Sequence, residues 1–108
     1  VTPPDPKAPK KPEPAVTQAP RFGKAKKRLP AAAQLATDEA VRGILANPLS
    51  GEPKTGALRG VSVVKFKVHD LQLLLAYQFD AKRNVVEVLD VGPHENFYRD
   101  IQKYLASR

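Results

Sequence analysis

The chain has 108 residues, a formal net charge of +7, 11 prolines and no cysteine, methionine or tryptophan. That length holds one small domain. The absence of cysteine excludes a disulfide scaffold, a thiolate metal site and a thiol nucleophile, and no apolar run approaches the roughly 18 to 20 residues of a membrane span.

The charge is uneven. Residues 1–30 carry +6 and residues 31–108 only +1, and seven of the prolines fall within residues 1–20. Proline lacks the N–H donor and pushes its predecessor towards extended geometry. With almost no apolar side chains, residues 1–13 have nothing to bury against the entropy of ordering. They read as a disordered Pro/Lys-rich tail, either solubilising or weakly attracted to nucleic acid. Residues 14–108 form the folded domain.

Val16 to Ala19, bracketed by Pro14 and Pro20, reads as an edge strand. Arg21 to Leu29 reads as a short basic helix with Phe22, Ala25 and Leu29 on one face. Pro30 suits the first turn of a second helix over 31–46. Its apolar stripe is Ala33, Leu35, Ala36, Ala40, Val41, Ile44 and Leu45, with Gln34, Asp38 and Arg42 facing water. Asn47-Pro48 ends it, and Leu49 to Gly56 is a loop.

The period then changes to two. Along Val61 to Val68, one face carries Val64, Phe66 and Val68, and the other carries Val63, Lys65 and Lys67. His69-Asp70 fits a tight turn. Leu71 to Phe79 is apolar on both faces, as a central strand is. Asp80 to Asn84 is a hairpin loop, Val85 to Val91 a further strand, and Gly92-Pro93 its end. Residues 95–106 form a last helix with Phe97, Ile101, Tyr104 and Leu105 in register. Helices covering one sheet face leave the lysine-bearing face at least partly open.

Two histidines, His69 and His94, stand at no metal-ligand spacing, and no phosphate loop, dinucleotide fingerprint or nucleophile elbow is present. What remains is Lys65 and Lys67, about 6.5–7 Å apart on one strand face, and a block after the last strand holding His94, Glu95, Asn96, Tyr98 and Arg99. Arg59 at the strand entry is a further cation within reach of a phosphate. Metal-free RNA cleavage needs a base for the 2′-OH, cations for the phosphorane charge and an acid for the 5′-oxygen. Lysines, a histidine and a tyrosine supply these roles without a cofactor.

Several blocks in this order resemble the RelE/ParE superfamily of bacterial type II toxins. They are Phe22-x-Lys24-Ala25-x-Lys27-x-Leu29, Asp38-Glu39-Ala40-Val41-x-x-Ile44-Leu45-x-Asn47-Pro48-Leu49-x-Gly51, Leu58-x-Gly60-Val61, Val64-Lys65-Phe66-Lys67, Leu74-Leu75-Ala76-Tyr77 and Gly92-Pro93-His94-Glu95-Asn96-Phe97-Tyr98-Arg99-Asp100-Ile101. The resemblance covers residues 14–108. It implies an α+β fold, a small antiparallel sheet with two N-terminal helices on one face and a C-terminal helix, as in RelE-like microbial ribonucleases. It further implies a toxin neutralised by a cognate antitoxin in the cytoplasm, away from membranes. RelE-like members cleave mRNA on the ribosome; ParE-like members inhibit DNA gyrase by binding. By this resemblance Lys65, Lys67, His94 and Tyr98 are the catalytic candidates, with Arg59 and Arg99 as RNA-binding residues and neither metal nor cofactor. A phosphate-contacting arginine of the RelE central strand is replaced here by Leu74, and Tyr98 lies closer to Gly92 than its RelE counterpart does.

Overall fold

The computed structural model of the chain describes residues 13–108. The tail expected over residues 1–13 falls, Glu13 excepted, outside the described residues. The elements are β1 (Ala15–Gln18), α1 (Pro20–Lys27), α2 (Ala31–Ala46), β2 (Glu52–Pro53), β3 (Ser62–Val68), β4 (Leu71–Asp80), β5 (Val85–Pro93) and α3 (Phe97–Ala106). A single 3₁₀ turn, Gly56–Leu58, separates β2 from β3. Among the described residues no helix is long and apolar enough to cross a membrane.

The five strands form one sheet in the order β1-β5-β4-β3-β2. β2 to β5 run antiparallel. β1 lies at the edge, as its flanking prolines predict, and pairs with β5 in parallel, Ala15 opposite Val85 through Gln18 opposite Val88. A register shift between Ala76 and Tyr77 sets Ala76 opposite Asp90 but Tyr77 opposite Val88. Leu89 is the extra residue, the mark of a β-bulge.

Each sheet face has its own core. On one face Phe22 of α1 and Ile44 of α2 pack on Leu75, Tyr77, Val86, Val88 and Val91. On the other, Phe97 and Ile101 of α3 pack on Val63, Leu74, Ala76 and Leu89. β4 is central, and Leu73 to Tyr77 are all buried, which is why its sequence is apolar on both sides.

Local chemistry sets the helix boundaries. Pro20 opens α1 at a position where its missing N–H costs nothing. Pro30 precedes α2, and the Gln34 amide donates to the Leu29 carbonyl at 2.9 Å. The burial pattern of α2 corrects its expected stripe. Leu35 is 67% exposed, whereas Thr37 is fully buried. The Thr37 hydroxyl donates to the Ala33 carbonyl one turn back at 2.8 Å, so its polar group is satisfied inside the helix. Ala33, Thr37 and Ile44 mark the buried line. Leu35 falls well off it around the helix.

Candidate active site

The register fixes what α3 leaves open. On β3, Lys65 stands opposite Leu74 and Lys67 opposite Gln72. Leu74 in turn faces Gly92 on β5. Residues directly opposite share a face, so Lys65 and Lys67 stand on the α3 side. That is the alternation read from the sequence. Both lysines are exposed, while Val63, next on that face, is buried beneath α3.

β5 ends at Pro93, opposite Leu73, so the chain leaves the sheet at the Lys65–Lys67 end. His94 follows, exposed. Its carbonyl accepts the Phe97 N–H at 3.1 Å. Asn96 adopts φ 61° and ψ 5° and turns the chain into α3; asparagine is among the few residues that occupy this left-handed region readily. Tyr98, half-buried, packs on the α3-side core. Its ring meets His94 edge-on at 5.5 Å and Phe97 edge-on at 5.7 Å between centroids.

A residue passed over in the sequence joins this cluster. The Lys54 ammonium lies 4.9 Å from the centroid of the Tyr98 ring. It also donates to Glu52 Oε1 at 3.2 Å. The backbone places it there. Glu52 pairs with Val63, and the Lys54 N–H donates to the Val61 carbonyl at 2.9 Å. Desolvation pulls the Lys54 pKa down, but the hydrogen bonds and charges of Glu52 and Tyr98 outweigh it, so the ammonium titrates above the ordinary lysine value. No local pattern in the sequence marks it, because the strand before it holds only Glu52 and Pro53.

The remaining candidates lie elsewhere. Arg59 is exposed on the turn before β3, at the end of the sheet remote from Lys67 and His94. Arg99 is 65% exposed, with its guanidinium Nε 3.6 Å from Asp100 Oδ1. His69 occupies the β3–β4 turn at φ 56°. Among the described residues no three His, Cys, Asp or Glu side chains gather to hold a metal ion.

The α3-side face thus carries Lys65 and Lys67 at the end where β5 leaves the sheet towards His94, and, level with Val61, Lys54 beside the Tyr98 ring that His94 also meets. Side chains of these types are able to bind phosphate and to move protons. Leu74 is fully buried, so the site has an apolar floor at that position.

The model of the ParE-like toxin of type II bacterial toxin-antitoxin systems matches residues 16–102. A search of curated proteins returns no match. Several solved structures share the fold. A double arginine-to-alanine variant of E. coli RelE in the free state aligns with TM-score 0.71 and 19% identity, over 86% of this chain and 98% of that one. The toxin-antitoxin complex RelBE2 of Mycobacterium tuberculosis gives 0.67 and 21%, over 76% and 99%. The intact E. coli RelBE toxin-antitoxin complex gives 0.63 and 21%, over 76% and 98%. The family model spans both cores and the block from Gly92 to Ile101, and with it the chain belongs to the ParE-like toxins of type II bacterial toxin-antitoxin systems.

Proposed function

We propose that the protein is a metal-independent, ribosome-dependent mRNA endonuclease, held inactive in the bacterial cytoplasm by a cognate antitoxin. The observation that carries this reading is that exposed Lys65 and Lys67 share the α3-side face at the end of the sheet where β5 gives way to the His94–Tyr98 pair. The RNA 2′-oxygen attacks the adjacent phosphorus, and the bond from phosphorus to the 5′-oxygen breaks. Lys65 and Lys67 hold the phosphate and offset the charge that builds in the phosphorane. Lys65 is the better placed for proton transfer, since it sits nearer the covered part of the face. His94 or Tyr98 takes the 2′-OH proton or returns one to the leaving 5′-oxygen. The antitoxin partner is supported by the toxin-antitoxin complexes that share the fold.

Expression without antitoxin, followed by mapping of mRNA ends on translating ribosomes, tests this. Cleavage within codons at the ribosomal A site is expected. Unchanged toxicity in a Lys65→Ala/Lys67→Ala/His94→Ala variant overturns the site.

A second reading is gyrase inhibition by binding. Leu74 favours it, because the fully buried leucine stands where the resemblance to RelE calls for a phosphate-binding arginine. Loss of supercoiling activity with intact mRNA selects this reading.

A further inference from the structure

Lys54 is a cation on the α3 side of the sheet that the fold holds in place before any ligand arrives. Its side chain is only 22% exposed. Glu52 fixes the ammonium from one side at 3.2 Å, and the Tyr98 ring supports it from another at 4.9 Å. A lysine ammonium has three donors; with Glu52 and Tyr98 each engaging one, a third is left for an incoming oxygen anion. An anchored cation loses less side-chain entropy on binding than a free one. Lys65 and Lys67 are exposed.

The placement along the sheet matters as much as the anchoring. Lys54 is level with Val61, through its N–H bond to that carbonyl. Lys65 stands four residues further along β3, about 13 Å at strand spacing. Both stand on the α3 side, and Tyr98, packed against the core of that face, meets Lys54 on one hand and His94 on the other. One phosphate does not bridge such a separation, and successive phosphates of one extended strand do.

We infer that Lys54 is a binding residue for a second phosphate of single-stranded RNA, about 13 Å along the sheet from Lys65. Glu52 and Tyr98 are its positioning residues. The inference rests on the RNA-cleaving reading of the site and extends it from one phosphate to a track of several nucleotides.

The test uses the full chain and 2′-O-methyl RNA oligomers, which bind without being cleaved. Affinity is measured over a salt series for a dinucleotide and for a hexanucleotide. With wild type the hexanucleotide binds more tightly. Lys54→Met is expected to weaken the hexanucleotide about tenfold, the worth of one charged contact, and to lower its salt slope by about one. The dinucleotide, held at Lys65 and Lys67, is expected to change less than twofold. Lys54→Arg restores the hexanucleotide affinity. Circular dichroism melting confirms that each variant is folded.

Equal loss for both oligomers, or none for either, overturns the inference, as does a wild type that binds neither. The cleavage assay separates the two claims. A wild type that cuts translated mRNA while Lys54→Met binds normally removes Lys54 and leaves the nuclease reading standing. A wild type that binds through Lys54 but cuts no mRNA removes the nuclease reading and leaves the phosphate contact.

Discussion

Tyr77 and Gly51 lock the loop after α2 onto the sheet. The Tyr77 hydroxyl accepts the Gly51 N–H at 3.0 Å and donates to the Pro48 carbonyl at 2.6 Å. A Cβ on Gly51 would stand 2.6 Å from that hydroxyl, and the ring is fully buried and has nowhere to go. Glycine is required here for space. The lock sits immediately before β2, so it also sets where Glu52 and Lys54 begin.

Gly51→Ala is therefore expected to cost about 2–3 kcal/mol, as overpacking in a closed core does. Tyr77→Phe leaves the Gly51 N–H and the Pro48 carbonyl without their partner and costs about 1–2 kcal/mol. Urea denaturation measures both. An alanine at 51 with wild-type stability would show that the loop is not pinned.

Asp90 gives a pH prediction. It is buried, and Arg21 Nε donates to its Oδ2 at 2.8 Å. Burial raises the carboxyl pKa, and the hydrogen bond and charge of Arg21 pull it back only in part. A carboxyl with a folded pKa above its unfolded one binds its proton more tightly when folded. Its contribution to stability is then full below the unfolded pKa and falls as pH rises through the folded pKa. Asp90→Asn flattens this decline. Arg21→Ala deepens it, leaving a buried charge without its partner, and costs about 2 kcal/mol at neutral pH after allowance for the part-exposed arginine. The double variant recovers most of that loss. Thermal melts across the acidic range, compared among the three variants, check the order.

Two leucines separate packing from composition. Leu74 is fully buried between Lys65 and Gly92, while Leu35 is 67% exposed on α2. Leu74→Ala is expected to cost about 2–4 kcal/mol. Leu35→Ala stays within about 0.5 kcal/mol. Equal costs would contradict the burial of α2.

Lys65→Ala/Lys67→Ala removes two exposed cations and is expected to keep stability within about 0.5 kcal/mol. Loss of toxicity in this variant then reports the site and not the fold. A large drop in melting temperature would tie these lysines to the core instead.

Much of this was legible because the signals were local. Pro30 and Asn47-Pro48 delimit α2 as its residues predict. Alternation from Val61 to Val68 puts Lys65 and Lys67 on one face, and the pairing with β4 agrees. The tight turn at His69-Asp70 joins the two strands as expected. Leu35 is apolar by type but stands off the buried line by angle, and Thr37 lies on that line because its hydroxyl finds a partner within its own helix. Lys54 was hidden for another reason. Its strand has only two residues, Glu52 and Pro53, too short to show a period. Its meeting with Tyr98 depends on how α3 returns across the sheet, which no local pattern encodes.

The parallel pairing of β1 with β5 has a consequence for synthesis. Emerging from the ribosome, β1 and Phe22 have no sheet to join until Val85 to Val88 have followed. The meander of β3, β4 and β5 closes through neighbouring turns and needs no such wait. Loop closure over so long a stretch is slow compared with hairpin closure. β1 is thus among the last strands of the sheet to dock, and the new chain carries an unsheltered Phe22 until β5 has been made. That interval is when a newly made copy is most open to proteolysis and to capture by another chain.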